Sequence, residues 1–353
     1  MSSIDLSLLR QDVNAALAAF TGERSKYLGE IGDELTPVAY ALDEFVNDGG
    51  KRFRPIFAYL GYLAGGNAHR PEILRACTAL ELVHVCALIH DDVMDGSDTR
   101  RNKPSIHRRF QEMHSTQKLK GDSEKFGHAA AILLGDLALV WSDRMLYESG
   151  ISQQELIDCQ RVFSDMRDEL MAGQYLDVLE GALATASVER SFKVARYKSG
   201  KYSIERPLHF GAALAGRSDL FKTFSNYGLP LGEAFQLRDD LLGVFGDPTI
   251  TGKPSGDDLR EGKRTVLIAL TMEQLTVNQQ QTLEQALGDP TISEQQIDEL
   301  QRLIRDCGAV DRVEKLITEL GAQAISALQD PKLDTKIATA LEQMAIIATQ
   351  RSL

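Results

Sequence analysis

Apolar residues recur along this chain at intervals of three and four, the spacing that brings side chains onto one face of an α-helix. The first such segment holds Leu6, Leu9, Val13, Leu17 and Phe20. Runs that alternate apolar and polar residues, as half-buried strands do, are missing. The pattern therefore predicts an all-α protein. Beyond the first helix, helices are predicted over residues 36–47, 53–65, 71–95, 128–148, 152–180, 188–214, 218–243, 264–285, 293–306, 310–329 and 332–350.

Two polar stretches, at residues 111–127 and 246–263, interrupt the helical pattern and predict long mobile loops. Long polar loops in compact α-proteins are often lids, and the 246–263 stretch is the natural candidate. No long Ser- or Pro-rich linker divides the sequence. We therefore predict a single domain over residues 1–353.

The charge balance narrows the function. Lys and Arg total 39 and Asp and Glu total 51 among 353 residues, which gives a formal net charge of −12. This balance argues against a general nucleic-acid-binding protein, which would carry a basic face. The cysteines form no C-x-x-C pair, so neither a zinc site nor a redox motif is predicted.

Several absences lead to an expected location. No uninterrupted apolar run approaches the roughly 18 residues of a membrane span, so no stable membrane insertion is expected. Asp5, Arg10 and Asp12 stand where a signal peptide would need apolar residues. No C-terminal prenylation box is present. We expect a soluble protein of the reducing cytoplasm.

The sharpest local feature is an acidic cluster that ends an apolar segment, LIHDDVMD at residues 88–95. On a helix, Asp91 and Asp95 lie one turn apart on one face, and Asp92 is adjacent. Carboxylates this close repel one another, so they need a cation or take up protons. Oxygen ligands without His or Cys favour Mg²⁺ over zinc. A solvated helix C-terminus is the alternative, although acids there oppose the helix dipole.

A second pair, Asp239 and Asp240, also stands late in an apolar helix, within FQLRDDLLG. Gly243 occupies the position where the spacing of the first cluster would place a third aspartate. Two such clusters predict a site that holds several Mg²⁺ ions between facing helices.

Basic residues, which phosphate groups at such a site would require, cluster in short segments. Each segment alone is typical of a solvated charged surface. Together, in an acidic protein, they indicate anion clamps, with Arg for bidentate phosphate contacts and Lys for point charge. The segments are GGKRFRP at 49–55, DTRRNKP at 98–104, KSGK at 198–201, GKP at 252–254 and GKR at 262–264.

These motifs, in this order, resemble those of the trans-isoprenyl diphosphate synthases, the family that makes farnesyl, geranylgeranyl and longer polyprenyl diphosphates. The resemblance runs from about Leu42 to Gly262. It implies an isoprenoid synthase fold, with helices around a deep central cavity, and a homodimer. It also implies Mg²⁺-dependent head-to-tail (1'-4) condensation of isopentenyl diphosphate with allylic diphosphates, with three Mg²⁺ per active site. The motifs that carry it are GGKRFRP, LIHDDVMD, DTRRNKPSIH, AAAILLGDLAL and FQLRDDLLGVFGD.

The resemblance also assigns roles to individual residues. The Mg²⁺ ligands would be Asp91, Asp92, Asp95, Asp239 and Asp240. The diphosphate of isopentenyl diphosphate would be held by Lys51, Arg54, His84 and Arg101. The allylic diphosphate would be held, with Mg²⁺, by Arg100, Lys198, Lys253 and Lys263. The region where the allylic cation forms would be lined by Ser199 and Gln236. The residues nearest the chemistry would be Asp91, Asp92, Asp95, Arg100, Lys198, Gln236 and Asp239.

Three positions depart from the family's pattern. Gly243 replaces a common third aspartate of the second motif; activity is expected to survive, because the first aspartate of that motif is the main ligand. Asn102 stands where Gly is usual after the arginine pair. Ser199 stands where Thr is usual, which keeps the hydroxyl.

Two histidines lie near the first motif. His84 is two helical turns before Asp91 on the same face. Taken alone it would be a core histidine, and the resemblance makes it an anion ligand. His90 lies off that face and is predicted to be structural.

Product length would depend on the residues one helical turn before Asp91, because the growing chain would run along this helix. Those residues are Cys86 and Ala87, with Val83 a turn further away, and all three are small or modest in size. In the family, aromatic side chains at the first two positions stop growth early. The open floor favours geranylgeranyl diphosphate (C20), with farnesyl (C15) and longer products as alternatives. The competing interpretation is that these small residues merely ease helix packing.

Three other functions compete with this one. A terpene cyclase shares the helical fold and an aspartate-rich motif but has no use for a second diphosphate clamp. A non-catalytic partner subunit would have lost metal ligands or clamp residues, whereas this sequence departs only at Gly243. A helical scaffold leaves the joint presence of acidic and basic motifs unexplained.

Overall fold

The computed structural model describes residues 4–183, 185–248, 254–289 and 291–350. Their regular structure is helical apart from one short pair of strands, so the predicted all-α class is confirmed. The chain falls into two compact units, each assembled from several stretches. Unit 1 comprises Met1–Phe163, Pro207–Asp219 and Asp334–Ala340; unit 2 comprises Ser164–Arg206, Leu220–Leu333 and Leu341–Leu353. The single domain over 1–353 stays a prediction.

Unit 1 contains six complete long helices and a two-stranded antiparallel pair. In chain order its elements are α1 (Leu6–Ile31), a 3₁₀ turn (Asp33–Leu35), α2 (Thr36–Asn47), α3 (Phe53–Leu63), α4 (Pro71–Asp95), β1 (Thr99–Arg100), β2 (Lys103–Pro104), α5 (Ile106–Thr116), α6 (Ser123–Tyr147), the start of α7 (Gln153–Ala182), most of α9 (Arg206–Leu214) and most of a 3₁₀ turn (Ser218–Leu220).

Unit 2 contains the rest of α7 and most of the C-terminal helices. Its further elements are α8 (Val188–Val194), a π-helix (Ala195–Glu205), α10 (Phe221–Phe245), α11 (Asp257–Arg260), α12 (Val266–Gln274), α13 (Val277–Ala286), α14 (Glu294–Asp306) and α15 (Ala309–Ala327). The last helix, α16 (Thr335–Thr349), is divided between the two units.

Helix α4 is the core helix of unit 1. Pro71 stands in its first turn, where a missing N–H costs nothing, and Gly96 ends it in a left-handed conformation (φ 69°). The helix packs on α3 and α6. Its mean hydropathy reaches 1.5 over 18 residues, so it is long and apolar enough to cross a membrane by length and composition alone. However, 72% of that window is buried inside the protein, as in the core helix of a globular unit.

The predicted loop at 111–127 is wrong. Helix α5 continues to Thr116, and α6 begins at Ser123, where the Asp122 side chain accepts from the backbone N–H groups of Glu124 and Lys125. The polar residues at the end of α5 form its solvated face, while Phe110 and His114 are buried on the other face. The solvated face of an amphipathic helix is polar, and polar composition alone does not distinguish such a face from a loop.

Two other predicted helices are interrupted. The segment predicted over 264–285 forms α12 and α13, which are separated at Leu275 and Thr276. The segment predicted over 188–214 changes to π-helical geometry at Ala195–Glu205. Of the predicted loop at 246–263, residues 249–253 lie outside the described part, and 257–260 form the short helix α11. The role of this loop as a lid stays a prediction.

Helix α9 packs closely on α3 through glycines. A Cβ placed on Gly211 would lie 1.7 Å from the carbonyl oxygen of Ala58, and one on Gly61 would lie 2.4 Å from the carbonyl oxygen of Leu208. Neither contact can be relieved by a side-chain rotation, because the opposing atoms are backbone. These glycines therefore set the distance between the two helices.

We expect Gly211→Ala to destabilise the protein by about 1–3 kcal/mol or more, because the helices must separate. The matched control is Gly22→Ala in α1, where a Cβ meets nothing within 4 Å. That variant should gain up to about 1 kcal/mol from helix propensity. Urea unfolding measures both, and equal effects of the two substitutions would contradict the packing argument.

Candidate active site

The first aspartate cluster forms the last turn of α4. The backbone N–H of Gly96 donates to the carbonyl oxygen of Asp92, and Ser97 N–H donates to the same oxygen at 3.0 Å. The Asp92 side chain is fully buried, while Asp91 and Asp95 are partly buried. A buried carboxylate at a helix C-terminus is opposed both by desolvation and by the helix dipole. It requires a compensating positive charge.

Arg100 supplies that charge from the strand pair β1–β2. Its Nε donates to Asp92 Oδ1 at 2.9 Å, its Nη2 donates to the same oxygen, and Nη2 lies 3.9 Å from Asp91 Oδ2. The turn between the strands consists of Arg101 and Asn102, both left-handed, with φ values of 54° and 61°. Asn tolerates this conformation better than most residues, which accounts for Asn102 in place of Gly.

The same turn directs Arg101 to the end of α2. Its Nη1 donates to the carbonyl oxygens of Phe45 and Asp48 at 3.3 and 3.2 Å, and the guanidinium lies 5.7 Å from the Phe45 ring centroid. Burial lowers the pKa of Arg101 below its ordinary value, and the nearby cations Arg52 and Arg100 lower it further. The two adjacent arginines thus contact different elements, Arg100 the end of α4 and Arg101 the end of α2.

The loop before α3 is anchored by Arg52, whose side chain is buried. Its guanidinium donates to Glu81 Oε1 at 2.8 Å, to Asn14 Oδ1 at 2.8 Å and to the carbonyl oxygen of Val46 at 2.7 Å. Arg52 itself is left-handed (φ 52°), a conformation that these three contacts hold in place. The loop that carries the neighbouring basic residues is therefore fixed.

Two predicted anion ligands flank Arg52. Lys51 is exposed, with its Nζ 5.7 Å from the centroid of the Phe53 ring. Arg54 lies in the first turn of α3 and is partly buried. Both therefore project from a loop and helix start that Arg52 ties to α4 through Glu81.

His84 follows Glu81 by one turn of α4. Burial lowers the pKa of His84 well below its ordinary value, and the positive charges of Arg54, Arg101 and Arg100 lower it further. The imidazole is therefore neutral at pH 7. The structure thus brings His84 into the field of both predicted clamp arginines, Arg54 and Arg101.

His90, which was predicted to be structural, contacts α6. Its Nε2 lies 3.0 Å from the carbonyl oxygen of Ile132 in α6, and its Nδ1 lies 3.7 Å from Cys86 Sγ. Gly135 of α6 leaves the space for the ring, since a Cβ there would lie 2.1 Å from Nε2. This contact joins α4 to α6 beside the acidic cluster.

The three residues predicted to form the floor of the tail pocket differ in exposure. Cys86 and Val83 are fully buried, and Cys86 contacts His90 on the side that packs on α6. Ala87 keeps part of its surface exposed. Of the three, Ala87 is therefore the residue whose surface remains accessible.

In unit 2, the second aspartate pair lies near the end of α10. Asp240 is buried and accepts a hydrogen bond from Gln236 Nε2 at 2.7 Å. The pKa of Asp240 is raised to about 8, mainly by burial and also by the carboxylates of Asp258, Asp239 and Asp177, against the lowering effect of the Gln236 hydrogen bond. Acidic groups thus converge at this end of α10.

The π-helix presents two predicted residues to this acidic region. Lys198 forms an ion pair with Asp177 of α7, and Ser199 Oγ donates to Gln236 Oε1. The wide π-helix fits because Gly200 meets Gly232 of α10, where a Cβ would lie 2.2 Å from Gly200 Cα. Short π-helical segments frequently mark functional sites.

The remaining predicted lysines lie in or near the segment after α10. Lys263 Nζ is 2.7 Å from Glu261 Oε2 and 3.8 Å from Asp258 Oδ1. Lys253 lies outside the described residues. Lys263 therefore lies beside the acidic residues near the end of α10, among them Asp258.

Sequence reasoning missed four charged residues that shape these sites, namely Arg52, Glu81, Asp177 and Asp258. Glu81 carried a signal, because it is an acid inside an apolar helix and must be paired. Asp258 also carried one, because 257–258 is a third Asp–Asp pair in the chain. Asp177 lies in an ordinary amphipathic helix, and no feature of the sequence marks it as part of a site.

A model of the family described as "Polyprenyl synthetase" matches residues 36–304, which is more than half of the chain. The chain belongs to the polyprenyl synthetase family. The family predicted from the motifs is therefore confirmed, and the match extends beyond them at both ends.

Polyprenyl synthetases of known structure share the whole fold. A crystal structure of geranylgeranyl pyrophosphate synthase from Corynebacterium glutamicum, complexed with isoprenyl diphosphate and magnesium, superimposes with a TM-score of 0.95 and 39% identity. It covers 99% of this chain and 100% of that one. The expected isoprenoid synthase fold is confirmed.

Two relatives differ in the product that their names state. Geranylgeranyl diphosphate synthase from Methanosarcina mazei is 31% identical over 321 residues, covering 87% of this chain and 90% of the relative. Geranylfarnesyl diphosphate synthase from Aeropyrum pernix is 31% identical over 274 residues, covering 76% and 80%. Overall similarity thus does not separate one product length from the next.

The Arg52–Glu81 pair provides a stability test. Glu81→Gln leaves a buried guanidinium uncompensated, so it should cost about 3–5 kcal/mol. The control is Glu148→Gln, which removes an exposed pair with Arg144 and should cost less than about 1 kcal/mol. Urea unfolding of the two variants compares them; similar losses would mean that the buried pair does not anchor the loop.

Proposed function

We propose that this chain is a Mg²⁺-dependent prenyltransferase that condenses isopentenyl diphosphate with allylic diphosphates to all-trans geranylgeranyl diphosphate. The observation that carries the proposal is the cation cluster around His84, beside the carboxylates that end α4. A terpene cyclase would need no such second anion clamp. A regulatory subunit would have no reason to keep it.

The diphosphate of isopentenyl diphosphate would be held by Lys51, Arg54, His84 and Arg101. The planar guanidinium groups suit bidentate contact with phosphate oxygens, and the neutral imidazole can donate one N–H. Arg52 holds the loop rigid through Glu81, so little conformational entropy is lost when the anion binds.

The donor set fits Mg²⁺. Within the described ranges, no three His, Cys, Asp or Glu side chains form a ready-made metal cage. Mg²⁺ does not require one, because it keeps several waters and takes one or two carboxylates together with substrate phosphates. The candidate ligands are Asp91, Asp92, Asp95, Asp239 and Asp240, and the family resemblance suggests three ions per site. Bound Mg²⁺ would stabilise the charge that develops on the leaving diphosphate.

The chain's own residues would perform the rest of the reaction. Arg100, Lys198, Lys253 and Lys263 would bind the allylic diphosphate as its carbon–oxygen bond breaks and the allylic cation forms. The double bond of isopentenyl diphosphate, oriented by its clamp, then forms the new carbon–carbon bond. A proton is lost to the released diphosphate. Ser199 and Gln236, joined by a hydrogen bond, would line the cation and orient it.

The C20 product rests on the small residue Ala87. An allylic tail that runs along α4 meets no aromatic side chain at Ala87 or at Cys86. Because Cys86 and Val83 are fully buried, Ala87 carries most of this argument. Farnesyl and longer products remain the alternatives, and a non-catalytic partner subunit is the alternative outside the enzyme class.

A product assay tests the proposal. Purified protein with Mg²⁺, labelled isopentenyl diphosphate and C5, C10 or C15 starters should give C20 in every tube, and chelation of Mg²⁺ should abolish it. Asp91→Asn should lose about 10²-fold or more in rate, whereas the exposed Asp98→Asn serves as the unchanged control. Growth that stops at C15 would contradict the open floor. The absence of condensation with every starter would favour the partner subunit.

We also propose a homodimer that forms through α6. Leu133, Val140 and Tyr147 are 65%, 60% and 76% exposed, and their seven-residue spacing aligns them on one face. The three side chains form an apolar stripe, and exposed apolar side chains arranged in this way are typical of an interaction surface. A second copy of the chain fits it, because the same stripe then packs against itself around a twofold axis.

Light scattering after size-exclusion chromatography tests the dimer. The wild type should elute at twice the chain mass of 39.0 kDa. Leu133→Glu combined with Val140→Glu should give a folded monomer, because two charges cannot be buried in an apolar interface. Leu8→Glu, at an exposed position of α1 (53%), is the control. A dimer that survives the double substitution would refute this surface.

We place the enzyme in the reducing cytoplasm. Cys77, Cys86 and Cys159 are buried free thiols, and Cys307 is a partly exposed one. Burial raises the pKa of Cys86 and of Cys159 to about 12, so neither is a reactive thiolate. The net charge of −12 gives no reason to expect a nucleic-acid partner.

A further inference from the structure

Gly243 is in close contact with a carboxylate from another element of unit 2. A Cβ placed on Gly243 would lie 1.9 Å from Asp258 Oδ2 and 2.3 Å from Asp258 Cγ. These distances are far below van der Waals contact. The carboxyl group of Asp258 therefore rests directly on the Cα of Gly243, in space that any side chain at 243 would require.

Asp258 is held in this position by its own helix. The next residue, Leu259, is fully buried in the same hydrophobic cluster as Leu241 and Val244 of α10. The carbonyl oxygen of Leu259 accepts from Gly288 N–H at 2.9 Å, and that of Asp258 accepts from Lys263 N–H at 3.0 Å. Helix α11 is therefore tied to α10, and the contact is not the chance position of a loose loop.

The position of this carboxylate matters for the second motif. Gly243 is four residues after Asp239, so it lies one turn further along the same face of α10. That is where a third aspartate of the motif would project. The side chain of Asp258 is only 15% exposed, so the carboxylate is largely enclosed beside this face.

We propose that Gly243 is a positioning residue that seats the carboxylate of Asp258, and that α11 thereby supplies the acid which the second motif lacks. This assignment rests on the proposed function for its use, since the acid would act toward Mg²⁺ and diphosphate. The seating itself does not depend on that function. Glycine at position 243 is accordingly required by the packing, and an aspartate there would displace the carboxylate of Asp258.

A stability cycle tests the seating without any ligand. Gly243→Ala should lower the melting temperature of the wild type, because the methyl group displaces the carboxyl group. In an Asp258→Ala background the same substitution should be neutral or stabilising, since the space is then open. Gly321→Ala in α15, where a Cβ meets nothing within 4 Å, controls for helix propensity. Equal effects of Gly243→Ala in both backgrounds would overturn the seating.

Binding of inorganic diphosphate in excess Mg²⁺, measured by titration calorimetry, tests the role of the acid. Asp258→Asn should weaken binding about tenfold or more, as loss of a supporting carboxylate does elsewhere. Gly243→Asp, with Asp258 retained, should also weaken it. The relocated pair Gly243→Asp with Asp258→Ala should bind within about threefold of the wild type, because one carboxylate again fills the space.

The outcomes separate this proposal from the proposed function. Tighter binding by Gly243→Asp, or unchanged binding by Asp258→Asn, would overturn the role of Asp258 while leaving the synthase intact. If the wild type binds no diphosphate, the proposed function fails and the role of Asp258 fails with it. The seating is then still decided by the stability cycle.

Discussion

The ion pair between Asp92 and Arg100 is the constraint on which the rest of unit 1 depends. A fully buried carboxylate at a helix C-terminus is stable only with a cation beside it. The β1–β2 pair, closed by the two-residue turn at Arg101 and Asn102, holds Arg100 beside the end of α4. The same turn sends Arg101 toward α2, and Arg52 fixes the loop before α3 through Glu81. Compensation of buried charge thus positions the cations of the proposed anion clamp.

Buried charge is also compensated in unit 2, but there acidic groups outnumber the basic groups beside them. Carboxylates are in excess there, so burial and their mutual repulsion raise the pKa of Asp240, and Lys198 and Lys263 neutralise neighbouring acids. Such an arrangement suits Mg²⁺, which binds one or two carboxylates and keeps waters or substrate phosphates as its other ligands, rather than a metal that the protein alone surrounds. Glycines make the crowding possible, because Gly232 admits the π-helix and Gly243 admits the carboxyl group of Asp258. The missing aspartate at 243 is therefore a feature of the packing.

The sequence predicted the helical class, most helix positions and the family, because apolar periodicity and ordered motifs are local signals. It could not predict the π-helix at Ala195–Glu205, whose geometry depends on glycines in other helices. The loop predicted at 111–127 failed because a solvated helix face resembles a loop in composition. Partners such as Glu81 for Arg52 are set by tertiary contact at long sequence separation. The different exposure of Cys86 and Ala87, adjacent in sequence, is likewise set by tertiary packing.

The central claim is that the cations which balance the aspartates are the ones that hold the diphosphate. A crystal structure with Mg²⁺ and a non-reactive allylic thiodiphosphate tests it most directly. We predict that Mg²⁺ takes over the compensation of the aspartates at the end of α4 and that Arg100 leaves Asp92 for a phosphate oxygen. A bound analogue and Mg²⁺ with Arg100 still on Asp92, and no basic residue of the clamp on phosphate, would contradict the account.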